Sequence, residues 1–221
     1  MLARFKPDRS HQSSGYLFTL NQDVLLEGMG TYTPGDPQPR TPAVLPAEGA
    51  FSFNFRSPLL SEADRQRRPV PDSAPPGGWP SLKGGLHYIK LHGSASWKTA
   101  AGRHDFVIGG GKTGLIDRSP LLSWYRDIFR AVCLDGGVRL LVIGYGFRDD
   151  HINEILIQGV TFHRLTLYVL GHGSNAEFRK RIDPRLLPGL RGYVNTPVAD
   201  ILGDGSGDTP GMSEIRQFLG I

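Results

Sequence analysis

Residues 138–153 read VRLLVIGYGFRDDHIN, and their reading decides the fold. Val138–Ile143 is a largely apolar run, as expected of a strand covered on both faces of its sheet. Gly144, Tyr145, Gly146 and Phe147 then turn the chain, with glycines that permit a tight turn. A helix is predicted to start near Asp149 or Asp150, where acids complement the helix dipole, and to run through Ile157.

The same alternation extends outward. Tyr16–Leu20 (YLFTL), His87–Leu91 (HYIKL) and Leu165–Leu170 (LTLYVL) are further short apolar strands. Between the second and third strands lies a helix that Ser119 caps, Pro120 opens and Gly136 stops. Its apolar residues recur at helical spacing from Leu121 to Val132. Ser174-Asn-Ala-Glu177 has the form of a capping box. Strands alternating with helices predict an α/β fold: a Rossmann-like, mostly parallel sheet flanked by helices. Eleven of the 17 prolines lie between Pro34 and Pro80. Residues 29–81 therefore read as an inserted loop or lid within a domain spanning 1–202, with a structured piece expected around Phe51–Phe55. Gly203–Gly211 reads as a flexible break, so that 203–221 form a linker and a short C-terminal helix.

Composition excludes several classes. The 221 residues are 39% hydrophobic and 21% charged, a globular balance. No apolar run approaches the roughly 18 residues of a membrane span. The segment Met1–Gly15 has no apolar core of a signal peptide, so a cytoplasmic protein is expected. The net charge of +4 permits an anionic ligand but does not argue for nucleic acid. The single cysteine, Cys133, allows neither an internal disulfide nor a multi-thiolate zinc site, and reads as a small buried hydrophobe. Gly109–Thr113 (GGGKT) has part of a phosphate-binding loop pattern, but Phe106 stands where that pattern needs its first glycine. It reads instead as a loop after an edge strand.

Ligands of open α/β sheets bind at the carboxyl ends of strands. Three such ends here carry polar or glycine-rich sequence: Thr19-Leu20-Asn21-Gln22-Asp23, Lys90-Leu91-His92-Gly93-Ser94, and Gly144 to His151. Each has a simple structural explanation. Asn21 and Asp23 suit a turn and a cap, His92 an interior histidine, the glycines a tight turn, and Asp149-Asp150-His151 a helix start.

Together the three ends resemble one family, the sirtuins. TLNQD resembles the sirtuin TQNxD motif. KLHGS resembles the strand and His-Gly segment that supplies the family's catalytic histidine. GYGFRDDHIN is similar to the GYSFxDxHIN signature of bacterial sirtuin-like domains. The resemblance covers roughly residues 16–27 and 86–172. It implies a domain that binds NAD+ as substrate, without zinc, and hydrolyses it to nicotinamide and ADP-ribose. Members of the zinc-free bacterial group often do so in antiphage defence. Carried over by motif, Asn21 would position the nucleophile, Asp23 would sit near the nicotinamide amide and His92 would be the general base. Thr19, Gly93, Gly144, Tyr145, Gly146, Phe147 and Asp149 would contribute to cofactor binding, with the Gly144–Phe147 backbone on the adenosine side.

The family's glycine-rich GAGxS loop has no counterpart in the residues before Thr19. The fold is accordingly expected to be incomplete at its N-terminus. Activity would then depend on a complementing upstream-encoded fragment, and a homo-oligomer is the other expected partner. Losing two charge-assisted hydrogen bonds of roughly 1.5–3 kcal/mol each predicts an NAD+ affinity lowered on the order of a hundredfold or more. Two other functions stay open: a non-catalytic interaction or regulatory module that kept the fold, and a protein ADP-ribosyltransferase or deacylase.

Overall fold

The computed structural model describes residues 14–22, 41–44, 68–82, 85–197, 200–201 and 209–220. They form mixed α/β structure with parallel sheets, in two compact units that divide between Asp127 and Ile128. No helix among the described residues is long and apolar enough to cross a membrane.

The first unit is built on strands β1 (Ser14–Thr19), β2 (Arg68–Pro69), β3 (Gly85–Lys90), β4 (Gly93–Lys98) and β5 (His104–Phe106). Strands β1 and β3 pair in parallel, with Tyr16 opposite His87 and Thr19 opposite Lys90. Residues Leu86 to Lys90 are buried along the whole strand, so β3 has both faces covered. Even Lys90 is buried, its Nζ 5.7 Å from the Tyr88 ring centre. The chain then leaves this pair through Leu91 and His92 and enters a second sheet, ordered β2-β4-β5.

Part of the proline-rich segment belongs to that sheet. β2 is its edge strand, where Pro69 withholds no central ladder bond. The Val70 amide donates to the Lys98 carbonyl at 3.0 Å, and Ala100 donates to Asp72 at 3.1 Å. Trp79 stacks on Trp124 with ring centres 4.6 Å apart. Within 29–81, Arg68–Pro69 thus forms a two-residue edge strand, and residues 70–82 carry no helix or strand but bury Val70 and stack Trp79. Phe51–Phe55 lies outside the described residues. β5 is the opposite edge, and Gly109–Gly111 follows it as a loop into helix α1 (Lys112–Arg118).

Helix α2 (Pro120–Leu134) starts as its sequence demands. The Leu122 amide donates to Ser119 Oγ at 3.1 Å, and Ser119 Oγ donates in turn to Asp105 Oδ2 at 2.8 Å. Burial pushes the Asp105 carboxyl above its ordinary value of 3.8, the Ser119 bond opposes that shift, and the nearby Asp72 charge adds to it. The folded protein therefore holds this proton to higher pH than the unfolded chain. The resulting stability is full below about pH 3.8 and drains away as pH rises through the folded value. Asp105→Asn, which keeps an acceptor for Ser119 without the charge, should melt higher than the parent at pH 7. The gap should close as pH falls toward about 4. Calorimetry from pH 4 to 7 checks this; a gap independent of pH would contradict it.

The second unit holds one parallel sheet, β6 (Arg139–Ile143), β7 (Thr166–Leu170) and β8 (Leu190–Val194), in sequence order. Helix α3 (Asp150–His163) connects β6 to β7. Helix α4 (Asn175–Arg181) and a 3-10 turn (Pro184–Gly189) connect β7 to β8, and helix α5 (Pro210–Leu219) closes the described chain. The predicted capping box is present, with Ser174 Oγ accepting from the Glu177 amide and Glu177 Oε2 accepting from the Ser174 amide. Cys133 is buried and free, its thiol pushed up to about 12 by desolvation.

Three expectations need correction. Helix α3 runs to His163, six residues beyond Ile157, because its apolar positions continue until Arg164 adopts a left-handed conformation and ends it. Gly211 is helical rather than part of a break, since Thr209 Oγ1 caps α5 by accepting from Met212. Of the β6–β8 strands, β7 rather than β6 is the central, buried one; in β6 only Val142 is buried and Ile143 is 46% exposed. Leucine and valine content alone does not reveal which strand has neighbours on both sides.

Candidate functional site

In the first unit, the TLNQ and KLHGS segments meet at the carboxyl end of the β1–β3 pair. This follows from the parallel register, which sets Thr19 beside Lys90 so that Asn21 and His92 leave the sheet at the same end. Hydrogen bonds join the two segments. Leu91 N donates to Thr19 O at 2.9 Å, and Ala95 N donates to Gln22 O at 3.0 Å. Thr19 Oγ1 also accepts from Asn21 N at 3.1 Å, which turns the chain tightly after β1 and leaves Asn21 exposed. Asp23 lies outside the described residues.

Gln22 is the residue sequence reading missed. Its Nε2 donates to Val107 O at 2.8 Å, and Val107 N donates to His92 O at 2.9 Å. Val107, the residue directly after β5, thereby clamps both motif segments. The only signal for this in the sequence is a polar residue inside the TLNQD motif with no role of its own. His92 is 2% exposed, and Ser94 and Ser96 beside it are buried and share a 3.2 Å hydrogen bond.

Gly93 has a structural explanation that is sufficient by itself. Its φ is +74°, and a Cβ there would lie 2.1 Å from the Asp105 carbonyl oxygen and 2.8 Å from Phe106 Cα. Close pairing of β4 with β5 requires glycine at this position, whatever else binds nearby.

In the second unit, Gly144–Phe147 follows β6 at the carboxyl end of the parallel sheet. Gly144 N donates to Leu170 O at 2.9 Å, extending the ladder by one bond, and its φ of +66° then turns the chain away. Phe147 also takes a positive φ, +54°, which is uncommon for a residue with a side chain. A Cβ at Gly144 would meet nothing within 4 Å, and at Gly146 nothing nearer than the Arg148 side chain at 3.9 Å. The loop therefore presents open backbone. Below it runs an aromatic row: Tyr145 to Phe147 at 4.7 Å, Phe147 to Phe178 at 5.6 Å, and Phe178 stacked on Tyr193 at 4.4 Å. Asp149 is the N-cap residue of α3, as predicted, but its side chain makes no capping bond to the helix; its carbonyl accepts from Ile152 and Asn153.

No family model, curated protein or solved structure matches the chain. The arrangement of the strand ends therefore has to carry the functional argument.

Proposed function

We propose that the protein binds NAD+ and hydrolyses its nicotinamide–ribose bond. The observation that supports this most is the joining of Asn21 and His92 at one carboxyl end of a parallel strand pair, since such ends are where α/β sheets hold ligands. In this reading the C1′–N bond breaks, nicotinamide leaves as a neutral group and positive charge develops on the ribose. Water adds to C1′, directed by the Asn21 amide, and His92 takes the proton that the water loses. By the motif resemblance, Asp23 is assigned a place near the nicotinamide amide. The motif resemblance assigns adenosine to the backbone of Gly144–Phe147, with Asp149, in the second unit.

The competing reading is an interaction module without catalysis. The structural requirement for glycine at position 93 favours it, because that part of the motif is then explained by packing alone.

Chromatographic detection of nicotinamide separates the two, using this chain and a fusion carrying a glycine-rich βα unit ahead of it. Release from the fusion is the result expected on the NAD+ reading. Asn21→Ala in the fusion should lower the rate while largely keeping NAD+ affinity, since the lost group places the nucleophile and not the dinucleotide. A folded fusion that neither binds NAD+ nor releases nicotinamide would leave the interaction module as the reading. Release only in the presence of a second, acceptor substrate would point to a transferase or deacylase.

A further inference from the structure

The Gly144–Phe147 loop is held by side chains that do not belong to its open face. Tyr145 Oη lies 3.0 Å from Asn153 Oδ1, to which it donates, and accepts from the Asp149 amide at 3.2 Å. Asn153 Nδ2 donates to the Phe147 carbonyl at 3.0 Å. One closed network thus runs from the loop into the first turn of α3 and back to the loop. It spans Phe147, whose φ of +54° is in the left-handed region. Asparagine is a poor helix former, so helix propensity does not explain Asn153. Its side chain instead uses both its donor and its acceptor to fix the loop. The tyrosine hydroxyl sits in a desolvated environment beside Asp149 and Asp150, which pushes its titration well above the usual range and keeps it a donor.

We infer that Tyr145 and Asn153 are positioning residues that preset the Gly144–Phe147 backbone for the adenosine half of a dinucleotide. The ligand in this inference rests on the NAD+ reading above; the latch itself rests on the hydrogen bonds. A loop already held in its binding conformation loses less conformational freedom when the ligand arrives, so breaking the latch should weaken affinity. Neither side chain needs to touch the ligand for this.

Two measurements on the 221-residue chain test it. The first needs no ligand. Amide hydrogen exchange at Asp149, whose N–H is bound by Tyr145 Oη, should speed up about tenfold in Tyr145→Phe, and the Gly146–Arg148 amides should follow in Asn153→Ala. The second is NMR titration with NAD+ and, separately, ADP-ribose. Affinity for both should fall about fivefold in Tyr145→Phe and about tenfold in Asn153→Ala. The loss in the double variant should be smaller than the product of the two, because they share one hydrogen bond. Tyr145→Phe keeps the ring against Phe147, so its melting temperature should stay within about 3 °C of the parent. That distinguishes positioning from general loss of structure.

Exchange that is unchanged in both variants overturns the latch. Unchanged affinity in both, in a parent that binds, overturns the positioning role whatever the exchange result. A parent chain that binds neither nucleotide overturns the ligand assigned here, while the NAD+ reading is decided separately by the fusion, and the exchange measurement then decides the latch alone.

Discussion

Gly93→Ala should lower the melting temperature by about 6–20 °C, corresponding to a loss of about 3–5 kcal/mol. The added Cβ meets backbone on the neighbouring strand, at 2.1 Å from Asp105 O and 2.8 Å from Phe106 Cα, so no rotamer change relieves the clash. The φ of +74° adds roughly 1–2 kcal/mol for any residue with a Cβ. Relief requires β4 to move off β5. That movement strains the 2.9 Å bond between Val107 N and His92 O and, through Val107, the clamp on Gln22. Gly146→Ala is the matched control. It has no positive φ, and its Cβ would meet nothing nearer than 3.9 Å, so its stability should stay within about 0.5 kcal/mol of the parent. Thermal unfolding followed by circular dichroism measures both. A Gly93→Ala protein melting within 2–3 °C of the parent, by the roughly 2–4 °C per kcal/mol scale, would show that the β4–β5 contact yields easily.

On the proposed reading, His92→Ala should reduce nicotinamide release by about 10²–10⁴-fold, the usual contribution of a general base. NAD+ affinity should change far less than turnover, because the imidazole acts on the nucleophile. A cavity also forms when a buried ring is truncated, so the melting temperature must be measured beside the rate. His92→Gln fills much of that space without supplying a base and should be similarly slow. If His92→Ala or His92→Gln keeps parental turnover, His92 is an interior histidine and the hydrolytic mechanism loses its base.

What the sequence determined by itself is mainly local. Ser119 before Pro120, and Ser174 with Glu177 three residues later, specify helix starts because a cap needs only one side-chain oxygen near its own backbone amides. Apolar runs located β1, β3, β6 and β7 to within about two residues. The positions of Asn21 and His92 after two strands were also legible, because each motif directly follows an apolar run. That those strands pair in parallel, and therefore bring both residues to one end, is a matter of register between segments about 70 residues apart.

Other features depend on contacts that no local pattern encodes. Gly93 looks like part of a binding motif until the Asp105 carbonyl is found where its Cβ would be. Pro69 and Val70 look like loop until β4 supplies an edge to pair with. β6 and β7 are both apolar, and only the strand order makes β7 the buried one. Asn153 is an unremarkable helix residue until its amide reaches the Phe147 carbonyl. In each case the deciding partner lies on another element, and burial and hydrogen bonding depend on which element that is. Propensity and spacing act within a few residues along the chain, whereas steric exclusion and the pairing of buried polar groups act across space, so only the tertiary structure could decide them.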